Sequence, residues 1–213
     1  LPPTATEDTV KRLLGALALS DGGPKADDSA LRALCRPAKA PTRQPWLAGY
    51  EAARRLQRDA LHRYEAGEDL STWIEAHTAF SQADADLGEA IDDACAWAPG
   101  HQPQVLRNRR GRYSPMFSLA KALGHFVMDA EADAPYAHVS SPGEYWPSAA
   151  RARAFAAMFL MPEDDVRACF SGAPVERAKV RDYAARRRVT ETTVLWHLQN
   201  LGVIGEDERL ALA

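Results

Sequence analysis

Apolar residues fall at helical spacing over most of this chain and cluster briefly only in its middle. "TEDTVKRLLGALALSDGGP" sets Val10, Leu13, Leu14 and Leu17 on one stripe between a Thr/Asp start and a Gly-Gly-Pro stop, predicting a short helix. "DDSALRALCRP" predicts a second, and the prolines and basic residues of "AKAPTRQP" read as a linker around residues 37 to 45. From Trp46 to Ala66, Leu47, Tyr50, Ala53, Leu56, Ala60 and Leu61 share one stripe with arginines on the other side, the pattern of a long amphipathic helix. "DLSTWIEAHTAF" has Asp69 or Ser71 as cap and Trp73, Ile74 and Phe80 as apolar positions, so another helix follows Gly67. His62 and His77 are expected on or near these helical surfaces.

Between residues 83 and 113 the helical period is lost, and short apolar runs broken by Gly and Pro predict strands near Ala90 to Ala98 and Pro103 to Asn108. Helix returns over Pro115 to Asp129, with Ser114 as cap and Pro115 in the first turn. A loop rich in Asp, Pro, Ser and Gly leads to a helix from about Pro147 to Met161, closed by Pro162. The last segment predicts two helices separated by a turn near Arg188 to Thr190. The fold class expected is therefore α+β, mostly helical, with a small β-sheet and a C-terminal helical pair.

Composition narrows the function classes. The chain has 213 residues, 46% of them hydrophobic and 26% charged, and no apolar run of transmembrane length, so a soluble protein with no membrane partner is expected. No secretory signal is visible, and Cys35, Cys95 and Cys169 are too scattered for a disulfide framework or a CxxC zinc site, which points to a cytoplasmic location. A net charge of -3 gives no general attraction to nucleic acid, so any such binding must be local.

Three pieces read together bring a family into view. "FSLAKALGHFVMD" (117 to 129) resembles the Phe-x-Leu-Ala-His-Glu-Leu-Gly-His helix of the ImmA/IrrE family of zinc metallopeptidases. "ARARAFAAMFLMP" (150 to 162) is similar to the same family's second helix, Glu-x-x-Ala-Asn-x-Phe-Ala-Ala-x-Leu-Leu-Met-Pro, and "VTETTVLWHLQNLGVI" to its usual C-terminal helix. The resemblance runs over roughly residues 45 to 204, from a first helix containing Gly49 and Ala52. It implies an N-terminal helical extension and linker over 1–45, a degenerate zincin-like domain over 46–172, and a helix-turn-helix-like segment over 173–213 packed on it.

The departures fall on the chemistry. By the resemblance, Lys121 replaces the first histidine ligand, Ala122 the general-base glutamate and Ala149 the glutamate ligand, while His125 alone keeps its type; Arg153 and Met158 stand at two further family positions. A catalytic zinc needs three protein ligands and an open place for water, and one imidazole beside a lysine cation cannot supply that. No metal and no cofactor is expected. The weak substitute ligands are His125, His138 and Glu144, in a stretch without fixed geometry. Asp129, Glu131 and Glu144 are the acids available to pair with Lys121.

Function is thus expected to be recognition: a pseudopeptidase whose old cleft binds a protein or peptide, a helix-turn-helix regulator first among them because the family's intact enzymes cleave such repressors. Two alternatives stay open. One is a non-zinc enzyme using Lys121 and His125, since a buried lysine can act as base or nucleophile. The other is DNA binding through the C-terminal helices, where Arg186, Arg187 and Arg188 precede a helix with Thr193, His197 and Asn200 at polar positions. Arg107, Arg109, Arg110 and Arg112, in the loop before the 115 to 129 helix, are further candidates for phosphate, acidic peptide or RNA.

Overall fold

Helix α1 (Pro45–Leu61) turns Tyr50, Ala53 and Leu56 into the core as its stripe predicts, while Leu47 stays 44% exposed at the helix start. The computed structural model describes residues 33, 35, 44–61, 80–98, 100–131, 133–143, 146–172 and 174–213. The two helices expected before residue 37, the linker up to residue 43, the helix after Gly67, and His62 and His77 lie outside the described residues. No helix among the described residues is long and apolar enough to cross a membrane.

Four short strands follow: β1 (Ser81–Ala85), β2 (Asp93–Trp97), β3 (Gln104–Asn108) and, beyond the next helix, β4 (Tyr136–Ser140). They form one mixed sheet in the order β1-β3-β2-β4, with β1 parallel to β3 and β2 antiparallel to both of its neighbours. Two strands stand where the apolar runs put them. β1 and β4 fall where none was placed: "SQADA" is mostly exposed, and β4 lies in a stretch whose turn residues read as loop. Edge strands such as these need apolar residues on at most one face, so their signal is weak.

Alternation along β2 and β3 splits the sheet's two faces. Cys95, Trp97 and Val105 join the main core, whereas Ala94 and Leu106 pack with Leu87 and Ile91 in a small cluster on the other side. On the main face lies α2 (Pro115–Asp129), buried from Met116 to Met128; the Ser114 hydroxyl accepts a hydrogen bond from the Phe117 N–H at 3.2 Å and Pro115 occupies the first turn.

Against α2 packs α3 (Pro147–Leu160), which ends before Pro162. α3 also lies hard against α1: a Cβ on Gly49 would collide with the Arg151 carbonyl and lie 2.9 Å from the Phe155 nitrogen, so only glycine allows this approach. α4 (Glu163–Phe170) is a helix that the sequence reading left out; it buries Val166 and Phe170 one turn apart and carries Glu163, Asp164 and Asp165 in its first turn, where the helix dipole favours them.

The expected C-terminal pair is α5 (Arg177–Arg187) and α6 (Glu191–Asn200), followed by α7 (Glu206–Leu212). Arg188 ends α5 in the left-handed region (φ 55°), and the Thr190 hydroxyl caps α6 by accepting from the Thr193 N–H at 3.2 Å. One hydrophobic cluster runs from Tyr50 in α1 through α2 and α3 to Ile204. The architecture is α+β and mostly helical.

Candidate functional site

α2 carries Lys121 and His125 one turn apart, on the face toward the sheet. Lys121 is 3% exposed, and its Nζ lies 2.7 Å from Asp93 Oδ2 on β2, a carboxylate that is itself buried. The ammonium also sits 4.8 Å from the centre of the Tyr113 ring, a cation–π contact at the entry to α2. The partner of Lys121 is therefore Asp93, not Asp129, Glu131 or Glu144. Asp93 comes 28 residues earlier and reaches Lys121 only because β2 crosses beneath α2. Glu131 is exposed, and Glu144 lies outside the described residues.

Asp129 serves His125 instead. His125 Nδ1 is 3.0 Å from Asp129 Oδ2, and Arg151 of α3 donates to Asp129 Oδ1 at 2.5 Å. The Tyr136 hydroxyl is 3.3 Å from the same imidazole nitrogen. Burial pushes the Asp129 carboxyl up, but the hydrogen bond and charge of His125, then those of Arg151, outweigh it and hold the group below its ordinary value. His138 on β4 stacks on the His125 ring with centroids 3.8 Å apart, and burial, then the nearby His125 and Lys121, drives its pKa down to about 3. Burial raises the Tyr136 hydroxyl and the Cys95 thiol far above their ordinary values, so Cys95 is an inert thiol.

These residues do not fit a zinc ion. Lys121 and the 2% exposed Ala149 offer no ligand at two of the places the resemblance assigns, and Ala122, at the place of the general base, is 3% exposed and equally inert. Glu144 lies outside the described residues, and of the substitute set His125 and His138 come together. Their rings are stacked within 28°, so their in-plane nitrogens run side by side rather than converging on one ion. No group of three His, Cys, Asp or Glu side chains among the described residues is placed to hold a metal.

Open space lies on the other side of α3. A cleft of about 590 Å³ is walled by α1, the start of α2, α3 and α6. Its apolar surface comes from Trp46, Tyr113, Phe117 and Trp196 over a floor of Ala150, Ala154 and Ala157. Arg112, Arg153, Thr192, Thr193 and Asn200 supply polar groups. This cleft is walled by α1 and α6 as well as α2 and α3, and Trp46 and Trp196, its most exposed aromatic residues, were not singled out in the sequence.

The arginine loop is mostly neutralised. Arg107 pairs with Asp84 at 2.8 Å, Arg110 with Asp86 at 3.5 Å and Arg112 with Asp92 at 2.8 Å, while Arg109 is exposed. In the C-terminal cluster Arg187 pairs with Asp165 of α4, and both it and Arg186 lie 5.6 Å over the Tyr183 ring. His197 is not on a polar surface but 1% exposed: its Nε2 bonds the Met161 carbonyl at 2.9 Å and its Nδ1 lies 3.4 Å from the Tyr50 hydroxyl. Burial lowers its pKa to about 4 against the opposing effect of the Met161 carbonyl. The outward face of α6, Thr192, Trp196 and Asn200, carries no cation and forms a wall of the cleft.

No protein-family model matches the chain, and no curated protein matches its sequence.

Proposed function

We propose that the chain is a catalytically degenerate, ImmA/IrrE-like and zincin-like pseudopeptidase that acts in the cytoplasm as a regulatory or accessory module binding a protein or peptide. The observation that supports it most is the buried Lys121–Asp93 ion pair, which fills the place of the first metal ligand with a satisfied internal cation. An amine so paired and shielded is poorly placed to attack a substrate, which counts against Lys121 as a nucleophile. What the surface offers is the cleft beside it, with exposed aromatic residues and polar groups suited to holding a chain rather than cutting one. A helix-turn-helix regulator is the first partner class to test.

The test uses purified protein supplied with zinc. It is expected to retain no stoichiometric metal by elemental analysis, to leave a fluorogenic peptide library uncut, and to select binders from a random peptide library displayed on phage. About one tightly held zinc per chain, or cleavage that a chelator abolishes, would overturn the pseudopeptidase reading. Absence of any peptide binder would overturn recognition.

A further inference from the structure

α5 is held down by Val180, Tyr183 and Ala184, which are buried, and this fixes what it shows to solvent. At 3.6 residues per turn, Ala178, Asp182 and Ala185 form the outward crest, and all three are exposed. Cations line both sides of the crest. Arg177 and Arg181 stand one turn apart on one flank, and Lys179 and Arg186 about two turns apart on the other, roughly 160–180° around the axis from the first row. All four are exposed.

The two rows are poorly neutralised. Arg177 and Arg181 share the single carboxylate of Glu191, at 3.9 and 3.5 Å, in pairs open to water. Arg186 meets the Cys169 sulfur at 3.7 Å and lies 5.6 Å over the Tyr183 ring, and the Lys179 ammonium is 5.8 Å from the Phe170 ring centre. These contacts are with a thiol and with rings, so both side chains keep their charge for an outside anion. In a chain of net charge -3 this is a local concentration of positive charge.

We infer that α5 seats in the major groove of double-stranded DNA, its two cation rows reaching the phosphate backbones on either side. The chemistry recognised is the phosphate ladder of a B-form duplex, whose major groove is about 12 Å wide and admits an α-helix. A crest of alanines lets the helix approach the groove floor, and rows on opposite flanks suit two backbones where a single row would suit one. Asp182, on the crest, faces the floor, where cytosine amino groups donate, rather than the phosphates. α6, the helix that enters the groove in a helix-turn-helix, is turned to the cleft through Thr192, Trp196 and Asn200. The inference goes beyond peptide recognition and does not depend on it, because none of the four cations lines the cleft.

The full chain is titrated at low salt, by fluorescence anisotropy, against labelled duplex DNA of about two helical turns in two unrelated sequences, the matching RNA duplex, and polyglutamate. Both DNAs are expected to bind, with log K falling against log salt at a slope of about -3 to -4, from four phosphate contacts at about 0.9 each. The RNA duplex should bind at least about tenfold more weakly, because its deep, narrow major groove does not take a helix. Lys179→Ala with Arg186→Ala, and Arg177→Ala with Arg181→Ala, should each weaken DNA binding at least about tenfold and lower the slope by about two, with circular dichroism unchanged. Absence of DNA binding by the folded parent chain would overturn the inference. Equal affinity for the RNA duplex or polyglutamate would also overturn it, by making α5 an unselective cationic surface, as would a loss confined to one of the two double variants, which would lay the helix against a single backbone. A chain that selects no displayed peptide yet binds DNA loses the recognition reading alone; one that does the reverse loses only this inference.

Discussion

α3 separates two regions built to opposite rules. On one side Arg151 reaches into a dry cluster in which Lys121 and Asp93, and His125, Asp129 and Arg151, hold one another. On the other, Ala150, Arg153, Ala154 and Ala157 face the cleft, whose largest side chains are half solvated. In the first region a charge exists only because a partner was folded in with it, since an unpaired buried ion is far costlier than an exposed one. In the second, water can solvate whatever the protein leaves unpartnered. The two regions meet at Tyr113, which lines the cleft and lies under the Lys121 ammonium.

Removing one half of the buried pair tests this contrast most severely. Lys121→Ala or Asp93→Ala should each cost about 3–5 kcal/mol in urea unfolding, because each strands the opposite charge away from water. The double variant Lys121→Met with Asp93→Leu should regain most of that loss, as two apolar side chains of similar bulk leave nothing unsatisfied. A single-variant loss below about 1 kcal/mol would mean that the pair is effectively solvated and that the two regions do not differ as described.

Acid should attack the dry side next. The folded state holds His197 at about 4 and His138 at about 3, both below the ordinary 6.5, so between those values the unfolded chain binds more protons and stability falls as pH falls. For His197, which is 1% exposed, the gap corresponds to about 3 kcal/mol, fully present above pH 6.5 and lost by pH 4. Asp129 has the same sign at lower pH: its depressed pKa adds stability above its ordinary 3.8 that disappears on further acidification. Stability measured against pH should therefore slope downward below 6.5, and His197→Gln should reduce the slope between 6.5 and 4. An unchanged slope in that variant would locate the sensitivity in other groups.

How much of this was legible in the sequence depends on the range of the interactions. Helices α1, α2, α3, α5 and α6, the cap Ser114 and the two apolar strands rest on neighbours a few residues apart, and local pattern reveals them. β1 and β4 gain their place from pairing with distant strands and carry almost no local signal. The site follows the same division. Lys121 and His125 stand out as a pair on one helix face, but Asp93 as the counterion, His138 stacked on His125, and His197 turned inward to the Met161 carbonyl are all products of tertiary packing. Polar residues at helical positions look solvent-facing until something arrives to bond them. Trp46 and Trp196 were passed over because nothing local distinguishes an exposed tryptophan from a buried one.

The smallest stability effect should come from the open region. Trp196 touches the Arg209 guanidinium, 4.0 Å above its ring, and Arg209 keeps its hydrogen bond to Gln199 at 2.5 Å whether or not the indole is present. Trp196→Ala therefore removes a half-exposed cation–π contact, worth about 0.5–1 kcal/mol, and leaves no buried group unsatisfied. The variant should unfold within about 1 kcal/mol of the parent chain. Among the described residues Trp46, Trp146 and Trp196 are exposed and Trp97 is 3% exposed, so acrylamide should lose access to part of the fluorescence in the variant while the Trp97 component is untouched. A destabilisation as large as that of the Lys121 variants would show that the α6 wall belongs to the core, and the contrast between a sealed and an open side of α3 would then fail.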